Sequence, residues 1–142
     1  MFLLDTNVII GVLREAPQVL ENYRALPPKI PKAITTFSVA ELYEGLNLLT
    51  QVGTQEAQKR ILEHIFDAFD GRNLILTLTR QGAKRYAQLS VSLRKHGTPI
   101  PVIDLLIGTI ALLTNSTLIT TDKNHFQLLK TVEATFQVEF WG

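Results

Sequence analysis

The sequence predicts an α/β fold, a three-layer α/β/α sandwich around a mainly parallel five-stranded sheet. Five short segments rich in β-forming residues alternate with segments whose apolar residues recur at helical spacing. The early strands are continuous apolar runs, as expected of strands that helices cover on both faces. With 142 residues and no cysteine, the chain is long enough to bury a core without disulfides. We therefore expect one domain over residues 1–142.

The chain begins with a strand and two helical segments. Residues 2–5 form an apolar run that ends at an acid, which indicates a buried strand followed by a turn. Residues 8–10 are apolar and begin the first helix. Pro17 suits the first turn of a second helix over residues 18–26, and Pro27-Pro28 end it.

The next strand is also followed by two helices. Residues 33–37 are β-rich and predict the second strand. Ser38 and Glu41 match a capping box at the start of a helix that runs to about residue 49. Gly53-Thr54 interrupt it, and residues 56–69 predict an amphipathic helix.

The third strand precedes a long helix. Residues 74–78 predict this strand, and Thr79 can cap a helix over residues 80–96. Gly97 suits the position just beyond that helix. A proline-rich segment then enters an apolar helix over residues 102–113.

The last part of the chain repeats the pattern once more. Residues 117–121 predict the fourth strand, and Asp122 can cap a short helix that ends near residue 129. Residues 135–140 alternate in polarity and predict a final strand at a sheet edge.

Composition excludes several classes of protein. The sequence is 46% hydrophobic and 19% charged, too apolar for a disordered chain, and the apolar excess favours a partner surface. Its longest apolar stretch, residues 100–113, contains Pro101 and Asp104 and is shorter than the roughly 20 residues that span a bilayer. The N-terminus lacks the basic region of a signal peptide. We expect a cytoplasmic protein with no membrane contact.

Familiar nucleotide and catalytic motifs are absent. The glycines form no G-x-G-x-x-G pattern and no G-K-[ST] occurs. The three histidines form no H-E-x-x-H motif, so His64, His96 and His125 are interpreted as surface or half-buried side chains.

Four acids stand where strands give way to helices: Asp5, Glu41, Asp104 and Asp122. Residues beyond the carboxyl ends of parallel strands meet in one crevice. Three of them have a simpler interpretation as helix caps or as part of a capping box, but Asp104 lies among apolar neighbours, where an unpaired acid is rare. Clustered carboxylates need a counter-charge, and oxygen ligands favour Mg²⁺ or Mn²⁺. Such a site suits phosphodiester hydrolysis.

Four segments resemble the motifs of a known family. Residues 3–10, 36–45, 100–108 and 118–126 resemble, in order, the four motifs of PIN-domain ribonucleases, and more narrowly those of VapC-type toxins. The resemblance implies a PIN-like α/β/α sandwich, Mg²⁺- or Mn²⁺-dependent endoribonuclease activity and inhibition of translation. The residues that match the family's catalytic and metal-binding acids are Asp5, Glu41, Asp104 and Asp122. The supporting polar positions are Thr6, Asn7, Ser38 and Thr120.

The resemblance also implies partners. It implies a homodimer and a cognate antitoxin of VapB-like type, in a heterotetramer or larger complex, with tRNA or rRNA as the substrate. The antitoxin of such a pair usually inserts a peptide, often with an arginine, into the active-site groove.

A basic stretch without acids follows residue 71. Its charges suit RNA phosphates, although a solvated helix face is the simpler interpretation. The candidate RNA-binding residues are Arg80, Lys84, Arg85, Arg94 and Lys95. Two alternatives remain open for function: a non-catalytic PIN-like binding module, and a metal-dependent nuclease or phosphatase that acts on another substrate outside a toxin–antitoxin pair.

Overall fold

The sheet lies at the centre of the molecule, which a computed structural model describes over all 142 residues. Its five strands are all parallel and are ordered β3-β2-β1-β4-β5. Their bounds are β1 Phe2–Leu4, β2 Lys32–Thr35, β3 Ile75–Leu76, β4 Thr117–Thr120 and β5 Gln137–Phe140. The predicted α/β architecture is confirmed, with a sheet that is parallel throughout, and the last strand lies at an edge as expected.

Seven helices make the crossovers that parallel strands require. Their bounds are α1 Thr6–Leu13, α2 Pro17–Ala25, α3 Thr36–Asn47, α4 Val52–Asp70, α5 Arg80–Lys95, α6 Val102–Leu113 and α7 Lys123–Val132. None of these helices is both long enough and apolar enough to cross a bilayer.

Two apolar cores, one on each face of the sheet, make the fold three-layered. Val8 of α1, Leu42 of α3 and Leu62 of α4 belong to one core. Leu89 of α5 and Phe126 of α7 belong to the other, together with α6. The helices that connect β1 to β2 and β2 to β3 pack on the first face. Those that connect β3 to β4 and β4 to β5 pack on the second, so the direction of strand addition reverses. This reversal at β1 and β4 leaves a crevice at their carboxyl ends.

Three of the predicted helix N-caps are confirmed. Asp5 is the N-cap of α1, and its Oδ1 accepts a hydrogen bond from the backbone N–H of Thr6. The hydroxyl of Thr79 accepts a hydrogen bond from the backbone N–H of Gly82, and Asp122 Oδ1 accepts one from that of His125. The predicted role of Gly97 after α5 is also confirmed, because it has a φ of 70°, which favours glycine.

The predicted capping box at Ser38 is wrong. Helix α3 begins earlier, and its N-cap is Thr35, whose hydroxyl accepts a hydrogen bond from the backbone N–H of Ser38 at 3.1 Å. Ser38 is therefore in the first turn, where its side chain is fully buried and faces the site. Because the helix begins at Thr36, Glu41 lies beyond its first turn and has no capping role.

Several element boundaries also differ from expectation by a few residues, and two of these differences have a clear local reason. Helix α4 begins at Val52, so Gly53 and Thr54 lie in its first turn, where a glycine with no close neighbours is tolerated. The third strand has only two residues, since its ladder with β2 extends only over Ile34 and Thr35.

Candidate active site

The four predicted acids are carried by four separate elements around the carboxyl ends of β1 and β4. Asp5 follows β1 directly, and its backbone N–H donates to the carbonyl of Ile119 in β4 at 2.9 Å. Asp122 follows β4 by two residues, Asp104 lies in the first turn of α6, and Glu41 lies in α3. Electrostatic effects of Asp104 and Glu41 both reach Asp5, so the structure brings these acids together as the parallel topology predicts.

Asp5 is the most buried of the four acids, with 3% of its surface exposed. Burial raises the pKa of Asp5 to about 6, since water is not available to solvate its charge. Hydrogen bonds from Thr120 and from the backbone N–H of Thr6 oppose that rise, whereas the nearby charges of Asp104 and Glu41 add to it. A cation beside Asp5 would offset this cost of burying its charge.

Thr120 connects two of the acids. Its fully buried hydroxyl donates to Asp5 Oδ2 at 2.7 Å and accepts from the backbone N–H of Asp122 at 2.9 Å. Both oxygens of Asp5 therefore have a donor, because Oδ1 accepts from the backbone N–H of Thr6 at 2.9 Å. This network fixes the orientation of the Asp5 carboxylate.

Glu41 is held by a second pair of hydroxyls. The Thr6 hydroxyl donates to Glu41 Oε1 at 2.6 Å and lies 2.9 Å from Ser38 Oγ. Thr6 and Ser38 are both buried, so a network from the first turns of α1 and α3 sets the position of this carboxylate. Asn7 differs from these supporting residues, since it is exposed and its side chain forms no hydrogen bond.

Asp104 and Asp122 share a contact with His125. The Nδ1 atom of His125 lies 2.6 Å from Asp122 Oδ2 and 3.2 Å from Asp104 Oδ2. Burial raises the pKa of Asp104, and the charge of Asp122 raises it further, whereas His125 lowers it. Sequence analysis did not place His125 at the site; its spacing of three residues after a helix-capping aspartate was the signal available.

The donor set of this site fits a divalent cation. No lysine or arginine forms an ion pair with any of the four acids, although two of them have raised pKa values. One oxygen of Asp104, one of Asp122 and one ring nitrogen of His125 lie within 4.8 Å of one another. Carboxylates gathered without a lysine or arginine partner favour a hard cation such as Mg²⁺ or Mn²⁺.

The basic candidates fall into two groups. Arg85 is already engaged, because its guanidinium donates to Glu133 Oε2 at 2.7 Å. The exposed candidates that form no ion pair are Arg80, Lys84, Arg94 and Lys95. Of these, Arg94 lines a small cavity of about 50 Å³ with Val102 and Leu105, which flank Asp104.

A largely apolar groove of about 300 Å³ lies on the other face of the sheet from α5 and α6, and it extends to one of the four acids. Glu41 lies in its wall, and α1, α3, α4 and the segments that follow α1 and α3 contribute the remaining lining. Arg14 and Leu49 are among the lining residues. The groove therefore joins an apolar surface to one of the clustered acids.

Sequence comparison places this architecture among known proteins. The sequence profile of the PIN domain family matches residues 2–130. Ribonuclease VapC1 from Haemophilus influenzae (strain R2866) is 29% identical over 128 residues, which cover 89% of this chain and 90% of that protein.

Solved structures give the same relationship. The crystal structure of FitAcB from Neisseria gonorrhoeae is similar with a TM-score of 0.84 at 30% identity, covering 97% of this chain and 96% of that chain. VapBC-1 from nontypeable Haemophilus influenzae is similar with a TM-score of 0.76 at 26% identity, covering 99% of this chain and 97% of that chain.

Proposed function

Because the chain belongs to the PIN domain family, we propose that it is a divalent-metal-dependent endoribonuclease and the toxin of a toxin–antitoxin pair. The observation that carries the proposal is the convergence of Asp5, Glu41, Asp104 and Asp122. Burial raises the pKa of Asp5, and no lysine or arginine forms an ion pair with any of the four. A relative named a ribonuclease that covers nine-tenths of this chain supports it.

The four acids would hold Mg²⁺ or Mn²⁺. When bound, such a cation lowers the pKa of a water and stabilises charge on a phosphodiester's oxygens. Thr120 holds Asp5 and the Thr6–Ser38 pair holds Glu41, so the acids are preorganised before a ligand arrives. A site fixed in this way loses little freedom on binding.

The RNA substrate, for which tRNA and rRNA are the proposed classes, would contact the exposed basic side chains. Arg94 lies beside the start of α6, the helix that carries Asp104, whereas Arg85 is held by Glu133. Cleavage of RNA by a cytoplasmic toxin would inhibit translation.

An antitoxin of VapB-like type is the proposed partner, and the groove that contains Glu41 is its proposed docking site. The groove is largely apolar and is lined by both Glu41 and Arg14. Its apolar residues suit apolar side chains of a peptide, and Glu41 suits an arginine of that peptide. Leu49→Lys should weaken the complex formed with a co-expressed VapB-like antitoxin. Leu113→Lys is the matched control, because Leu49 and Leu113 are equally exposed, at 37%, and Leu113 does not line the groove.

The oligomeric state belongs to the same proposal. We propose a homodimer of this chain, which antitoxin joins into a heterotetramer or larger complex. Such interfaces would cover apolar side chains that lie outside the two cores. Leu48 and Val52 beside the groove, for example, are about three-quarters exposed. Light scattering of the free chain and of the co-expressed pair tests this arrangement.

The experiment that tests the proposed activity compares Asp104→Asn with Asp67→Asn. The first removes a clustered acid, and the second makes the same change at an exposed position of α4. With Mg²⁺ or Mn²⁺, we expect wild type and Asp67→Asn to cleave RNA and Asp104→Asn to show only background cleavage while it keeps its fold. Wild-type cleavage by Asp104→Asn would overturn the site assignment.

The choice of substrates separates the remaining alternatives. A structured RNA, a single-stranded DNA and a phosphomonoester are offered in parallel to the wild-type chain. Preference for DNA or for the monoester would identify another metal-dependent hydrolase. A chain that cleaves none of them and binds no Mn²⁺ in calorimetry would be a non-catalytic binding module.

A further inference from the structure

His125 lies against two of the acids because of the way α7 begins. Asp122 caps the helix through Oδ1, which accepts from the backbone N–H of His125 at 3.1 Å. The same geometry brings the His125 ring to the other oxygen of Asp122, with Nδ1 2.6 Å from Oδ2. Asp104 Oδ2 is reached from α6 at 3.2 Å from the same nitrogen. Backbone and side chain together therefore fix one imidazole nitrogen between two carboxylates.

The spacing of these three donor atoms matches a coordination shell. They all lie within 4.8 Å of one another. Six-coordinate ions with bonds of about 2.1 Å place adjacent donors about 3 Å apart and opposite donors about 4.2 Å apart. The 3.2 Å separation already fits an adjacent pair, and the 2.6 Å hydrogen bond must lengthen slightly. Side chains of α6 and α7 thus approach a metal site without rearrangement of either helix.

Resting on the proposed metal dependence, we infer that His125 is a nitrogen ligand of the cation held by Asp104 and Asp122, and that it biases the site toward Mn²⁺ over Mg²⁺. Imidazole is a good ligand for transition metals, whereas Mg²⁺ prefers oxygen donors and retains its waters. An all-carboxylate cluster would not make this distinction. Ligation by Nδ1 replaces the hydrogen bond to Asp122 and leaves the ring proton on Nε2.

An alternative role for His125 predicts the opposite change in metal affinity when the ring is removed. Placed between two carboxylates, His125 could serve only as a counter-charge that a metal must displace. Removal of the ring would then strengthen the binding of every divalent cation. As a ligand, its removal weakens Mn²⁺ binding and changes Mg²⁺ binding little. The sign of the change in Mn²⁺ affinity therefore separates the two roles.

Pulsed electron paramagnetic resonance of the Mn²⁺-loaded full chain tests the inference directly. A coordinated imidazole couples the electron spin to a ¹⁴N nucleus, and this modulation does not depend on catalysis. We expect ¹⁴N modulation in wild type and its loss in His125→Ala and His125→Asn. His96→Ala is the matched control, because His96 is an exposed histidine at the end of α5, and it should keep the signal.

Calorimetry on the same proteins measures the metal preference. The Kd for Mn²⁺ should rise on the order of tenfold or more in both His125 variants, and the Kd for Mg²⁺ should change much less. Circular dichroism checks that the variants are folded, and His125→Asn provides a polar replacement in case the alanine variant is not. Mn²⁺ bound by wild type without ¹⁴N modulation, or bound more tightly by the variants, would overturn the inference and leave the proposed nuclease intact. No binding of Mn²⁺ by wild type would overturn both.

Discussion

The Thr120 hydroxyl donates a 2.7 Å hydrogen bond to Oδ2 of Asp5, a residue 115 positions away in the sequence. Both residues are buried at the carboxyl ends of adjacent strands, since Leu4 pairs with Ile119 in the ladder between β1 and β4. Strand pairing therefore fixes the distance between the donor and the acid. The site depends on sheet register as much as on its four carboxylates.

Thr120→Val should disturb the site while it preserves side-chain shape. Asp5 Oδ2 loses its donor in a buried position, which costs about 1–3 kcal/mol of stability, and Asp5 is no longer oriented. Mn²⁺ affinity in calorimetry should fall with it. Thr109→Val is the control, because Thr109 is also fully buried but its hydroxyl donates to the carbonyl of Leu105 within α6. Equal losses of metal affinity in the two variants would contradict a specific role for Thr120.

Stability of the metal-free protein should fall as pH rises, because of Asp5. Its pKa is about 6 in the folded chain and near 3.8 in the unfolded chain, so between these values the folded state keeps a proton that the unfolded state has lost. The cost of ionising buried Asp5 therefore lowers the free energy of unfolding progressively from pH 4 to 6. Above about pH 6 this cost no longer changes. Linkage at about 1.4 kcal/mol per pH unit gives a loss of about 3 kcal/mol.

Urea unfolding in a chelator measures this effect of Asp5. Wild type and Asp5→Asn are compared from pH 4 to 8. The stability of the variant relative to wild type should increase from pH 4 to 6 and level off from there to pH 8, because its amide does not ionise. The raised pKa of Asp104 acts in the same direction in both proteins. A difference between the two proteins that does not change with pH would contradict the assigned burial effect.

Divalent cations should raise the melting temperature, because they bind the assembled carboxylates and not the unfolded chain. At a free Mn²⁺ concentration of about 100 times Kd the stabilisation is about 2.7 kcal/mol, which corresponds to a shift on the order of 10 °C. Asp104→Asn should show little of this shift, and Asp67→Asn all of it. An unchanged melting temperature of wild type in millimolar Mn²⁺ would count against a formed site.

Gly108→Ala should destabilise the packing of α6 against α7. A Cβ at this position would lie 2.6 Å from Leu129 Cδ2, and Leu129 is fully buried, so its side chain has little room to move. The cost of overpacking is about 1–3 kcal/mol, reduced by up to about 1 kcal/mol from the better helix propensity of alanine. Gly45→Ala in α3 meets nothing within 4 Å and should stabilise the chain slightly in the same urea experiment. Gly108→Ala as stable as Gly45→Ala would show that the two helices separate easily.

The convergence of the acids was predictable, because parallel topology alone brings the carboxyl ends of the strands together. Asp122 illustrates why caps and site residues need not be alternatives, since one of its oxygens caps α7 and the other contacts His125. The order of the four motifs that resemble the family likewise predicted the fold. These features follow from local sequence and chain order.

Other features depend on packing that no local pattern encodes. Thr35 and Ser38 are both acceptable caps, and the register of β2 against β1 and β3 decides that the helix starts at Thr36. The contact of His125 with Asp104 joins two helices whose relative position is set by the close approach at Gly108. Likewise, the sequence around Arg85 does not distinguish it from its basic neighbours, because its partner Glu133 lies 48 positions away in the chain.

RNA binding should depend on Arg94 and not on Arg85, although both are arginines of the same helix. Arg94 is exposed, forms no ion pair and lies beside the residues that flank Asp104, whereas Arg85 is paired with Glu133. In an Asp104→Asn background that does not cleave, Arg94→Ala should weaken RNA binding and reduce the slope of log K against log salt by about 0.7–0.9, the value for one lost phosphate contact. Arg85→Ala should leave that slope unchanged and cost at most about 1 kcal/mol of stability, because its ion pair is partly exposed. Fluorescence anisotropy over a salt series measures both variants, and an equal fall in slope for the two would mean that the salt bridge to Glu133 opens to admit RNA.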